Sequence, residues 1–442
     1  MNFRTLILFC ILISNLISCS NEKIIKLPIL EKNGYGPFIA GLGGISTYSD
    51  NEDNPSKNTQ LKVSGIPISW TDIKVGDIDT DIRQSVYQDY YSGKITNERY
   101  QELQKSWTWI PDSLNLSKKP LKCKIAFAVG KDSIGELKMI VDSNNNLDLS
   151  DDKIFKPLEV SPSGNLNFDS LAISNAIEVT FERYSNDKSV KVTAPILIVY
   201  MSTYDMFWCN FSQYATAKLD DEEIAISSSR FLNLSYNHIG IFKVNKGTKD
   251  TEKVDTEAIV ENNEYIEIKN NIYKNLGVNR NQNMLILEKI NVPRKQLFSS
   301  QIGFNAFDFS GIDFKTKTPI ALDSLKGKYV LIDFWATWCG ACIQDLPNLK
   351  HLYEDIDRSK FEIISIVGES EPEVLDKMIE KHAISWPQII STDTNKIREK
   401  YGIIGYPTTF LLNPEGVIIA KNLRGKGLDT KVASLISNKV SR

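Results

Sequence analysis

The sequence predicts two architectures in one chain: a β-rich, sandwich-like N-terminal region with a helical insertion, then a compact α/β domain. Three observations carry this reading. A chain of 442 residues is too long for one ordinary domain. From residue 20 to about 300 the apolar residues fall in short runs rich in Val, Ile, Tyr and Phe, which strands prefer. After about residue 300, strand-like runs alternate with helical ones, as in a βαβ unit. With 42% hydrophobic and 24% charged residues the composition is that of a globular protein, which disfavours wholesale disorder.

Residues 1–18 read as a secretory signal peptide, with a positive start at Arg4 and an apolar run over 6–13 too short to span a bilayer comfortably. The run ends in Leu16-Ile17-Ser18-Cys19, which resembles a bacterial lipobox. That resemblance implies cleavage before Cys19 and a diacylglycerol on its thiol, hence a lipoprotein held on the bilayer by its acylated N-terminus.

Within 19–300, strands are expected over 121–129, 137–141, 177–181, 190–201 and 284–287. A helix is expected near 97–107, where Tyr100, Leu103 and Trp107 fall at i, i+3 and i+7. Polar stretches at 49–60 and 246–256 read as exposed loops, and the second is a place where this region divides in two. In 302–442 the expected order is strand 329–334, a helix from about Cys339, strand 361–367, helix 371–381, strand 387–390 and helix 396–401. Strands 408–412 and 417–421 follow, joined by the turn Asn413-Pro414-Glu415-Gly416, and helix 430–438 closes the domain.

Charge and composition exclude several functions. The 52 basic and 55 acidic residues leave a net charge of −3, so no basic excess exists to neutralise phosphates and no nucleic-acid partner is expected. No stretch of about 20 apolar residues occurs, which argues against a polytopic membrane protein. His238, His351 and His382 are too scattered for a histidine-rich zinc site.

Six cysteines are present, too few for a disulfide-stapled scaffold. Cys10 would leave with the signal. Cys123 and Cys209 lie in strand-like runs, and the sequence leaves open whether they form one bridge or remain two buried thiols. Cys339-Gly340-Ala341-Cys342 is different, because it follows a buried strand and opens a helix. Free N–H groups and the helix dipole favour a thiolate there, and the spacing lets the second sulfur reach the first. Cys339 is then the attacking thiol and Cys342 the resolving one. Half a zinc site is the alternative, but no second pair of soft ligands lies nearby.

Residues 302–442 resemble the thioredoxin superfamily, and within it the TlpA/ResA-like thiol-disulfide oxidoreductases. The matching segments run from Lys326 to Cys342, over Val367-Gly368-Glu369-Ser370, and over Gly405-Tyr406-Pro407-Thr408-Thr409-Phe410. The resemblance implies a thioredoxin fold for this third of the chain and leaves the N-terminal two thirds uncovered. It implies that Asp333 is a buried acid that takes the proton of Cys342. Glu369 is implied as a second proton carrier or a discriminator of partners. Pro407 is implied as a cis-proline that presents the Tyr406 backbone to an incoming chain, and Trp338 as an apolar lip. Ala341 stands where many relatives carry Pro, which leaves the direction of electron flow open. No cysteine sits in a Pro-x-x-x-Thr-x-x-Cys setting, which counts against a peroxidase.

Two further features stand apart. Asp142, Asn144, Asn146, Asp148 and Asp152 place oxygens at alternate positions, as calcium loops do, so a structural calcium ion is one expectation. Leu147 replaces the usual Gly and Lys153 the usual Glu, and a plain Asn/Asp turn explains the same residues. Gly41-Leu42-Gly43-Gly44 lacks any nucleotide-loop pattern and reads as a turn.

The expected function is therefore an extracytoplasmic, membrane-anchored thiol-disulfide oxidoreductase that reduces protein disulfides without a dissociable cofactor. Its partners would be protein thiols and disulfides, and a membrane electron donor for thiols. The alternative is a lipoprotein binding module whose thioredoxin-like domain is an accessory docking or redox-sensing unit.

Overall fold

The computed structural model describes residues 23–437 apart from 50, 52–53, 162–165, 246 and 248–251, so Cys10, Cys19 and the lipobox lie outside the described residues. The chain forms two compact units. One holds the residues up to Val254 with Glu261–Ile290, the other Asp255–Val260 with Asn291–Arg442. Among the described residues no helix is long and apolar enough to cross a membrane.

The N-terminal unit is mostly antiparallel strand. Thr71–Asp79, Lys124–Lys131 and Leu137–Val141 form a three-stranded sheet. Lys188–Met201 is the spine of a second sheet, paired with Met206–Phe211 and Ile177–Ser185. Strand alternation divides its side chains between two faces. Ala194, Ile196 and Ile198 pack with Ile125, Phe127, Met139 and Val141 of the first sheet in one core. Leu197, Val199 and Met201 turn the other way, towards Phe168 and Leu171. This two-sided burial explains why 190–201 reads as an almost unbroken apolar run.

The insertion holds two helices. Asn97–Ser106 matches the expected one and buries Tyr100, which stacks on Tyr90 with ring centroids 4.1 Å apart. Its predecessor, Ile82–Tyr91, has no apolar stripe, because its buried residues include Gln84, Ser85, Gln88 and Asp89. Gln84 exchanges hydrogen bonds with the backbone of Ser117, and Gln88 does so with Leu121, replacing the pairing that a strand would provide. Cys123 and Cys209 are buried free thiols with no bridge between them.

The C-terminal unit holds a five-stranded sheet with Tyr329–Trp335 at its centre. Phe361–Val367 and then Gln388–Ile390 run parallel on one side, and Thr408–Leu412 with Ile418–Lys421 run antiparallel on the other. Val330, Ile332 and Phe334 face one layer, with Ile397 and Tyr401. Leu331 and Trp335 face the opposite layer, built from Cys342, Leu346 and Leu349 of helix Gly340–Asp355 and from Leu428 and Val432 of the last helix. That last helix spans Gly425–Ser437 and starts five residues before the expected 430, its opening concealed by Gly425 and Gly427. This is the thioredoxin-like arrangement the sequence led us to expect for this third of the chain.

Candidate active site

Cys339 ends the loop after the central strand and caps the helix Gly340–Asp355. The Cys342 N–H points at the Cys339 sulfur, 3.2 Å away, so one orphan donor of the helix start is aimed at the sulfur that would carry negative charge. The two sulfurs are joined at 2.05 Å, which makes this the oxidised state. Both residues are almost fully covered, at 6% and 4% exposure.

Asp333 lies between Leu331 and Trp335 on the central strand, so alternation places it on the face covered by the Cys342 helix. It is 3% exposed. Burial pushes its pKa up to about 7 and the nearby Asp345 adds to the rise, while a hydrogen bond from Ser365 and the charge of Arg424 oppose it. The Ser365 hydroxyl donates to Asp333 at 2.9 Å and accepts from the Trp386 indole at 2.9 Å, which fixes the carboxyl in place. Burial also raises the pKa of Asp345. The sequence offered one sign of Asp345, its position three residues after Cys342 on the same helix.

The residues around the sulfurs form a second group. Trp338 is 61% exposed, whereas Trp335 is buried. The Trp338 indole N–H donates to the Glu369 carbonyl at 2.9 Å, and its ring meets Tyr406 edge-on at 5.7 Å. The Tyr406–Pro407 peptide is cis. The Glu369 carboxylate is paired with Arg398, and Arg398 also donates to the Tyr406 hydroxyl at 3.3 Å. Arg398 was not legible from the sequence: it sits in the short helix Ile397–Lys400, where nothing in Ile-Arg-Glu-Lys sets it apart.

The structure thus gathers Cys339, Cys342, Asp333, Trp338, Glu369, Tyr406 and Pro407 in the C-terminal unit. The loop 142–152, where a structural calcium ion is one expectation, belongs to the N-terminal unit and is folded by its own side chains. Asp142 accepts from the backbone of Asn146 and Leu147 through both carboxylate oxygens, at 3.0 and 2.9 Å. Asn146 accepts from Asp148 N, Asp148 from Ser150 N, and Asp152 from Ser143 N. Asn144 donates its amide to Asp151. These bonds fold the loop, while the second carboxylate oxygen of Asp152 is buried with no hydrogen-bond partner; among the described residues no three His, Cys, Asp or Glu side chains gather as a metal site.

Residues 302–421 match the AhpC/TSA family model. The thiol-disulfide oxidoreductase ResA of Bacillus subtilis (strain 168) is 36% identical over 101 residues, covering 23% of this chain and 55% of that protein. ResA of Bacillus anthracis is 31% identical over 119 residues, covering 27% and 68%. The chain thus spans little more than half the length of the first of these relatives. Among solved structures, the thioredoxin domain of a thiol-disulfide oxidoreductase from Bacteroides vulgatus is 34% identical, covering 30% of this chain and 97% of that one, with a TM-score of 0.29.

Proposed function

We propose, from the premise that this chain belongs to the family of ResA thiol-disulfide oxidoreductases, that it reduces protein disulfides through Cys339 and Cys342. The observation that carries the reading is the Cys339–Cys342 disulfide at a helix start, on the sheet face that holds the buried Asp333. In the reduced protein the Cys339 thiolate attacks one sulfur of a substrate disulfide. The substrate S–S bond breaks, a Cys339–substrate bond forms, and the departing sulfur takes a proton. Cys342 then gives its proton to Asp333 and attacks the Cys339 sulfur, releasing the second substrate thiol and leaving the oxidised pair. Two electrons pass to the substrate, so each turnover needs a dithiol donor to restore the pair. The chemistry rests on the disulfide itself, and no dissociable cofactor enters it.

Trp338 and the Tyr406–Pro407 backbone form the proposed docking lip for the substrate chain. Glu369, held by Arg398, acts there as a discriminator of partners. Residues 1–18 and Cys19 support an extracytoplasmic lipoprotein with a membrane protein as its electron donor. The shared core of its two sheets supports a sandwich for the N-terminal unit.

One observation favours the binding-module reading as a second role. The N-terminal unit carries an open pocket of about 590 Å³, with apolar walls at Ile78, Val86 and Trp107 and with Asp77, Asp79 and Asp89 around Lys124. A pocket of that size suits a small ligand or an anchoring side chain.

The test of the redox reading is the reduction potential of the Cys339–Cys342 pair, from alkylation and mass spectrometry in dithiothreitol or glutathione buffers. A reductant should fall near the roughly −270 mV of thioredoxin, whereas roughly −120 mV would reverse the assignment to an oxidant. A pair that never closes would leave only the binding role.

A further inference from the structure

Three separate loops meet beside the disulfide, and one side chain joins two of them. The first carries Trp338, next to Cys339. The second is Gly368-Glu369-Ser370, after strand Phe361–Val367. The third runs from Gly402 to Pro407 and presents the docking backbone. Trp338 is tied to the second loop by its N–H bond to the Glu369 carbonyl, and Thr337 N is tied to the Ser370 hydroxyl at 3.0 Å. Arg398 then spans the second and third loops, with the Glu369 carboxylate on one side and the Tyr406 hydroxyl on the other. Its second terminal nitrogen lies 3.7 Å from Glu399.

Two features show that this meeting is built. Glu369 holds a left-handed backbone (φ 45°), which a non-glycine residue keeps only where its surroundings fix it. Gly368 leaves the space that the Tyr406 hydroxyl fills, since a Cβ there would overlap the phenol oxygen. The third loop is otherwise held at its ends, by the Ile403 N–H bond to the Arg398 carbonyl at 3.0 Å and by the Thr408 hydroxyl bond to the Gly405 carbonyl at 2.9 Å. It contains Gly402 and Gly405, and Ile404 between them is 96% exposed.

We propose that Arg398 is a positioning residue for substrate: it clamps the Glu369 and Tyr406 loops into the docking lip, and so sets affinity for a protein disulfide. This inference rests on the redox reading above. A substrate chain that pairs with the Tyr406 backbone must meet that segment already in place, and ordering it at the moment of binding weakens the complex. Arg398 touches neither sulfur, so its loss acts on binding and leaves the exchange step itself alone.

The test uses the full chain with insulin as the protein disulfide and dithiothreitol as donor. Arg398→Met keeps the apolar stem and removes both bonds. Tyr406→Phe deletes one hydroxyl, and Gly368→Ala displaces that hydroxyl without touching the charge. Each should raise KM by about tenfold, the low end of what one hydrogen bond to a charged group is worth, with kcat within a factor of two. Arg398→Lys should fall between wild type and Arg398→Met, since Lys can hold Glu369 but lacks the fork that also reaches Tyr406. The double variant Arg398→Met/Tyr406→Phe should be no worse than its poorer single, because the two residues share one contact. An unchanged KM, an equal fall in kcat, or additive effects would each overturn the clamp. The indole N–H resonance of Trp338, assigned with Trp338→Phe, separates this proposal from the redox reading. If wild type reduces no insulin the redox reading fails, yet Arg398→Met must still shift that resonance; if it does not move, the clamp fails as well.

Discussion

Asp333 keeps its proton at a pH where an ordinary carboxyl has lost it. In the unfolded chain it ionises near 3.8, in the fold near about 7, with burial as the main cause. Between those values the folded protein binds one more proton than the unfolded chain. Its contribution to stability therefore falls as pH rises from about 4 to about 7, and is level above that. Asp333→Asn retains a partner for the Ser365 hydroxyl and has nothing to ionise. In urea melts it should gain about 2–4 kcal/mol over wild type at pH 8 and little at pH 4. An equal difference at the two pH values would show that the group does not titrate in this window. The same variant should slow collapse of the mixed disulfide by about a hundredfold, since Cys342 loses its proton acceptor. Quenched-flow alkylation reads that step directly. Asp333 was legible in the sequence because the segment leading to Cys342 has a family pattern in which its place is marked. Arg398 and Ser365 reach the site across the fold, and neighbours distant in sequence leave no local periodicity to find.

At the scale of elements, the Cys339–Cys342 pair depends on one helix, and that helix carries a proline in its interior. Pro347 lies inside Gly340–Asp355, where it has no N–H to donate to Ile343 and its ring crowds that carbonyl. Its side chain is exposed, so it offers no core packing in return. Pro347→Ala should then stabilise the C-terminal unit by about 1–3 kcal/mol, seen as a rise in its thermal midpoint. A fall would mean that Pro347 is needed for the helix to cover the sheet. Elements were legible where one face is apolar and the period clear. Strands Phe361–Val367 and Thr408–Leu412 lie where the sequence placed them. Helix Ile82–Tyr91 was not legible, for a physical reason. The residues it buries are largely amides and other polar groups that satisfy the backbone at Ser117 and Leu121, and hydrophobic periodicity cannot register a polar seam. The loop 142–152 was legible only as a loop. Its oxygens have a ligand-like spacing, but a spacing cannot say whether carboxylates face a cation or the loop's own N–H groups.

For the whole molecule, the separation into two units has a thermal consequence that involves the cysteines. Each unit has cores of its own: one between the sheets around Ile125, Phe127 and Ile196, others on the two faces of the Tyr329–Trp335 sheet. Separate cores predict two calorimetric transitions in the full chain. The only disulfide among the described residues closes a short loop in the C-terminal unit, while Cys123 and Cys209 of the N-terminal unit are free. Closing so short a loop removes little entropy from the unfolded chain, worth about 2 kcal/mol. Reduction should therefore lower one transition by about 4–8 °C, given the size of the C-terminal unit, and leave the other where it was. Cys339→Ser should reproduce the lower midpoint without reductant, which separates loss of the bridge from any effect of the thiol reagent on the remaining cysteines. Movement of both transitions would show that the units unfold as one. Movement of neither would show that the bridge adds no stability, and the oxidised and reduced forms would then differ in chemistry alone.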